Sequence, residues 1–287
     1  MRAGAPSHYC AGVAVLLAVV SSLLWGSADF VGGLLARRRP AYAVVAASQA
    51  FGLLAITVVV VLTRAWTAPG GWLPWALAAG VTGTAGLVFF YAGLAGGTMS
   101  VVASIAALGS LVPVLFGLLQ GDRPSTLAFG GIALAVLGAV AASGPELHSG
   151  SPARPIVLAA TAGVCFGFAL VFIERGARDS VVMTLTGMRA LSVLVFVVAA
   201  IALRSIGGLV LRDAPGLLVV GLGDVGANLL FAIASQRGLL SVTGALGSLY
   251  PVVTVLLARF LLHERLRPVQ QAGVVAALGG VVLVSVG

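Results

Sequence analysis

The chain has 287 residues, of which 60% are hydrophobic and 8% charged, and its mean hydropathy is +1.14. A soluble domain carries about 25% charged residues, so too little polar side chain is present to cover a water-facing surface, and the chain reads as an integral membrane protein. The net charge of +8 comes from arginine alone, since the sequence has no lysine; these cations sit mostly at the ends of apolar runs, where they anchor helices at headgroups, and not in the patch of a nucleic-acid binder.

Apolar stretches of about 20 residues, each long enough to cross a bilayer, recur from end to end. Ten spans are predicted, over 11–35, 41–63, 72–95, 98–119, 126–144, 154–174, 181–203, 214–236, 238–261 and 268–286. The first begins after Arg2 in the manner of a signal peptide, but its apolar run continues past Trp25 to Leu35, which is too long for a signal core. It reads as a retained span, closed by the interfacial cluster Arg37-Arg38-Arg39. Within it Ser22, Trp25 and Asp29 share a helix face. Span two carries Ser48 and Gln49, and span three carries Gly83-Thr84-Ala85-Gly86. Span four holds Ala107-Leu108-Gly109-Ser110-Leu111-Val112-Pro113, and this phrase returns in span nine as Ala245-Leu246-Gly247-Ser248-Leu249-Tyr250-Pro251.

The repeat is not confined to that phrase. Trp25-Gly26 pairs with Phe166-Gly167, and Gly83-Thr84-Ala85-Gly86 with Gly223-Asp224-Val225-Gly226. The polar connector Ser143–Arg154 separates the halves, which are taken as 1–148 and 149–287. Five spans per half is an odd number, so the second half must enter the membrane inverted, the plan of many secondary transporters. The expected fold is therefore all-α: ten transmembrane helices as two inverted five-helix repeats around a central cavity. The arginines divide almost evenly between the two faces, so no orientation follows from them. Abundant glycine fits helices that associate in lipid through small residues. Cys10 and Cys165 have no metal-ligand neighbours and read as small apolar residues.

These features resemble the EamA-type transporters of the drug/metabolite transporter superfamily. The resemblance rests on Trp25-Gly26, the paired small-residue-to-proline phrases, the pattern Glu264…Gln270…Gly273 entering span ten, and the duplicated ten-span plan. It covers essentially the whole chain; Asp122 stands where the family usually has glutamate. It implies movement of small metabolites across a membrane without naming one.

A charge near the bilayer centre costs about 2.5–3.5 kcal/mol on insertion scales, so each one needs a reason. Asp224 shares a face of span eight with Gly221, Asn228 and Phe231. It reads either as a reversible proton carrier in a polar stripe or as a structural partner of Arg189. Asp29 reads as a transport residue or as an interfacial partner of Arg37 to Arg39. Arg189, aligned with Ser48, would clamp an anionic substrate group or snorkel to the interface. Pro113 and Pro251 bend their helices by removing a backbone donor and crowding the preceding turn. With Ser110 and Ser248 they present two small-residue faces that frame a cavity. Tyr250 against Val112, and Asp224 against Thr84, break the symmetry and mark where a substrate is read. Asp122, His263 and Glu264 sit at helix ends as caps or anchors.

The expected substrate or proton pathway is therefore Trp25, Asp29, Ser48, Gln49, Thr84, Ser110, Pro113, Arg189, Asp224, Asn228, Ser248, Tyr250 and Pro251. No cofactor, metal or catalytic residue is expected, since no metalloprotease or nucleotide-binding motif occurs. The favoured reading is a secondary active transporter of a small metabolite, amino acid or drug-like compound in a bacterial plasma membrane. Proton coupling through Asp224 or Asp29 is the favoured drive, with facilitated diffusion the alternative, and lipid surrounds a monomer or homodimer. The alternatives are a flippase for a lipid-linked carrier, with Arg189 at the headgroup, and a membrane-embedded enzyme or structural subunit.

Overall fold

The computed structural model describes residues 8–97, 99–143, 153–205, 207–261 and 267–286. Among them every regular element is helical. Lipid offers no hydrogen-bond partners, and a helix satisfies its backbone internally, so long apolar runs have no cheaper solution. The first half contributes α1 (His8–Ala36), α2 (Ala41–Thr63), α3 (Leu73–Gly96), α4 (Met99–Ala107), α5 (Leu111–Leu119) and α6 (Thr126–Ser143). The second contributes α7 (Ala153–Leu203), α8 (Ala214–Arg237), α9 (Leu240–Gly247), α10 (Tyr250–Leu261) and α11 (Pro268–Val286). Six helical stretches among the described residues, one of them α9 and α10 taken together, are long and apolar enough to span a membrane. Residues 144–152 of the central connector, and His263 and Glu264, lie outside the described residues.

Spans six and seven of the sequence reading form α7, which reverses at Ser180, where the backbone is extended (φ −161°, ψ 112°). The reversal is fixed by two sets of contacts with α3. Trp75 stacks on Phe172, Gly86 faces Phe166, and Gly93 faces Leu158, so the limb before Ser180 runs antiparallel to α3. Gly187 meets Trp72, Gly80 meets Met188, and Thr84 bonds Ser192, so the limb after it runs parallel. Ser180 caps the second limb, with Oγ accepting from Met183 N at 3.3 Å.

Spans four and nine are broken, a stronger effect than the bend expected from their prolines. A 3-10 turn over Leu108–Ser110 parts α4 from α5, and Ser248 and Leu249 part α9 from α10. Each break falls in the turn just before its proline, where the ring crowds the backbone. The breaks are also packing sites. Gly109 lies on Gly163 and Gly167, while Gly26 lies on Tyr250 and Val253, with no room for a Cβ at either. Pro113 itself packs on Gly244, 3.0 Å from where that residue's Cβ would stand.

Small residues set the other seams, as expected where lipid supplies no drive for helix association. Gly223 and Gly226 of α8 face Ala28 and Leu24 of α1; Gly83 and Gly86 of α3 face Ala169 and Phe166 of α7. Gly131, Ala135 and Gly138 of α6 meet Val284, Gly280 and Ala277 of α11 in descending order, so these two helices run antiparallel. Each of these seams joins an element of one half to an element of the other, so the halves interleave and do not form separate bodies.

Candidate functional site

Four helices deliver side chains to one carboxylate. Asp224 Oδ2 forms an ion pair with Arg189 Nη1 at 2.8 Å and accepts from Gln49 Nε2 at 3.2 Å. Its Oδ1 accepts from Trp25 Nε1 at 3.2 Å and from Asn228 Nδ2 at 2.9 Å. Arg189 Nη1 also donates to Gln49 Oε1, closing a ring between α2, α7 and α8. The local reasons are simple. Asp224 and Asn228 are four apart on α8, so they lie one above the other; Asn228 Nδ2 is further held by the Asp224 carbonyl at 2.7 Å. The glycines at 223, 226 and 52 let α8, α1 and α2 approach closely enough for these bonds to form. Arg189 is 1% exposed, which rules out snorkelling, and a charge so placed is tolerable only with its partners.

This cluster forms one wall of a central cavity of about 80 Å³, against the ~10–15 Å³ one water needs on the same measure. Of the thirteen residues singled out from sequence, Trp25, Asp29, Ser110, Arg189, Asp224, Asn228, Ser248 and Tyr250 line it. The other five stand behind the wall. Gln49 holds the ion pair, Ser48 bonds its own helix at Val45 O, and Thr84 bonds Ser192 on α7. Pro113 and Pro251 are buried at the breaks, where they shape the wall without facing the cavity.

Asp29 does not pair with the arginine cluster. It is 8% exposed, lines the cavity, and makes no hydrogen bond or ion pair among the described residues. Arg39 turns instead to Asp213, at 2.8 Å, and to Gly208 O. Asp122 caps α9, its Oδ2 accepting from Ser241 N at 2.9 Å.

Sequence reasoning passed over Phe166, Leu87 and Met188, which also line the cavity. Phe166 was within reach, being the repeat counterpart of Trp25; the other two are apolar residues among many. It also passed over Glu174, 4% exposed, which bonds Arg178 Nε at 2.8 Å while Arg178 Nη2 reaches Gln120 Oε1 at 3.2 Å. An acid inside an apolar run with arginine four residues on was the available signal. This knot ties α7 to the end of α5, as the Arg39–Asp213 pair ties the halves near the C-terminal end of α1.

The fold and site define a multi-pass helical membrane protein with a buried polar cluster at the wall of an internal cavity. The chain belongs to the EamA-like transporter family of the drug/metabolite transporter superfamily, whose model matches residues 12–144 and again 153–286. No curated protein matches it. Among solved structures 26 chains match. One crystal structure of another protein superimposes with a TM-score of 0.72 over 94% of this chain and 95% of that one, at 21% identity. That likeness carries the fold alone.

Proposed function

We propose that the chain is a secondary active transporter that moves a small metabolite through the central cavity by alternating access. The observation that carries this reading is the convergence of Trp25, Arg189, Asn228 and Asp224 at the cavity wall, with Gln49 bracing the ion pair from behind it, so that four helices meet there. A buried ionised network of this kind is expensive to keep in a membrane, and intramembrane carboxylates mark substrate and proton paths. Asp29 and Asp224 are the candidate proton carriers, and the plasma membrane of a bacterium is the setting.

In the same reading the chain crosses the membrane ten times as two inverted five-helix repeats. Support comes from α6 and α11, equivalent in the two halves, which pack antiparallel with Ala135–Gly280 mirrored by Gly138–Ala277. The reversal of α7 at Ser180 supplies the two spans merged there. Because α1 packs on α8 and α3 on α7, a rocking motion must carry elements of both repeats together.

The test is uptake into proteoliposomes under an imposed pH gradient, with labelled amino acids, amines, sugars and nucleosides as probes. The wild type should accumulate at least one, and Asp224→Asn should abolish that uptake while remaining monodisperse. Unchanged pH-driven uptake in the variant removes Asp224 from the mechanism. Failure of the wild type to move any probe in either direction counts against transport itself.

A further inference from the structure

We propose, resting on the transport reading, that the cavity takes a small primary amine in its ammonium form, with Asp29 as counter-ion and an apolar body against Trp25, Phe166 and Tyr250. Three observations on the cavity wall lead there.

The first is charge. Arg189 and Asp224 neutralise one another at 2.8 Å, whereas Asp29 has no partner among the described residues. The fixed groups therefore leave one negative charge unmatched in a site largely removed from water. The other titratable groups lining the cavity are Asp224, Arg189 and Tyr250, and the one cation among them is already paired with Asp224. None of them supplies a second cation, so a proton or a cationic ligand must.

The second is hydrogen-bond polarity. Ser110 Oγ donates to Ala107 O, and Ser248 Oγ donates to Ala245 O, so each hydroxyl offers the cavity only lone pairs. Asn228 Nδ2 is committed to the carbonyl and carboxylate of Asp224, leaving its amide oxygen. Trp25 Nε1 is committed to Asp224 as well. With the Asp29 carboxylate these groups present acceptors to the cavity, while the wall's donors without a partner among the described residues are the Tyr250 hydroxyl and Arg189 Nε and Nη2. A primary ammonium brings three N–H donors; a quaternary ammonium brings none.

The third is the lining. Aromatic faces attract cations, most strongly where water is excluded, and Leu87, Leu170 and Ile173 offer apolar surface beside them. The unpartnered donors of Arg189 are the counterweight that would instead favour an anion. These are Nε, which lies 3.7 Å from where a Cβ on Gly52 of α2 would stand, and Nη2.

The experiment is equilibrium binding to the purified full chain, with four probes of one shape: phenethylamine, its N,N,N-trimethyl analogue, 2-phenylethanol and phenylalanine. Methylamine and tryptamine bracket the size of the body. At least one primary amine should bind at least tenfold more tightly than its trimethyl and neutral counterparts, a gap of about 1.4 kcal/mol. Its affinity should fall by up to about tenfold per pH unit of acidification, because protons compete for Asp29. Asp29→Asn should weaken it at least tenfold, with Asp29→Glu partly restoring it. If Asp29→Asn does not stay monodisperse, the ranking of the four probes on the wild type decides alone. The proposal is overturned if the trimethyl analogue or the alcohol binds equally well, if phenylalanine binds more tightly than phenethylamine, or if no amine binds. None of these outcomes touches the transport reading, which stands or falls on the proteoliposome uptake.

Discussion

The seam between α8 and α1 and the seam between α3 and α7 are copies of one another that differ in their polar contacts. Both are built on paired glycines, Gly223 and Gly226 in one and Gly83 and Gly86 in the other, against small or apolar residues of the facing helix. On the α3–α7 side the polar contact is a neutral bond between Thr84 and Ser192. On the α8–α1 side the equivalent of Thr84 is Asp224, the equivalent of Phe166 is Trp25, and a four-residue network surrounds the charge. The close approach of backbones is common to both copies, while charge resides in one. A scaffold can be duplicated and kept by packing alone, and function then needs only one copy to depart from it.

The largest test of that contrast is to strip the charged seam of its cation. Arg189→Ala leaves Asp224 buried without its ion pair and should cost about 3–5 kcal/mol, read as a lowered unfolding temperature and poor recovery in detergent. Asp29→Asn, which breaks no bond, should leave the unfolding temperature close to that of the wild type. A small effect of Arg189→Ala would mean the network is not holding the seam.

The packing shared by the copies should respond alike on both sides. Gly26→Val and Gly167→Val each force side-chain atoms onto backbone of the opposite broken helix, and each should cost about 1–3 kcal/mol. Gly130→Ala, where nothing lies within 4 Å, is the matched control and should be close to neutral. A large difference between the Gly26 and Gly167 variants would break the equivalence of the two sites.

On the neutral seam Thr84→Val should cost only about 1 kcal/mol, the net worth of one hydrogen bond. Its thermal shift should therefore be several times smaller than that of Arg189→Ala. The least effect is expected at the rim. Arg39→Gln removes a partly exposed ion pair with Asp213 and should cost less than about 1 kcal/mol. That loss should shrink further at high salt, a dependence absent from the buried pair.

Much of the fold was legible in the chain because membrane helices are written in composition and length. The bounds of α2 match the expected span, and those of α3 and α8 lie within a residue or so of it, since a bilayer sets both the number and the kind of residues needed. The breaks at 108–110 and 248–249 were visible as prolines in a repeated phrase, yet only as bends. Whether a proline bends or breaks a helix depends on what packs into the gap, here Gly163, Gly167 and Gly26 from distant parts of the chain. The candidate site was legible as an inventory of costly residues. Its division was not: Asp224 and Arg189 proved to be each other's partners, and Asp29, which had an obvious partner in the arginine cluster nearby in sequence, proved to have none among the described residues.

The sequence by itself determined that this protein spans a membrane repeatedly, that it arose by duplication, and which few polar side chains the membrane must accommodate. These follow from local quantities, namely apolar run length, repeated phrases and the cost of charge in lipid. Only the tertiary structure decided that the halves interleave, that eight of the thirteen singled-out residues face one cavity, and that its wall holds a carboxylate with no partner among the described residues. Those properties depend on which glycine surfaces meet, and on bonds such as Trp25 to Asp224, and both are fixed by contacts between residues far apart in the chain.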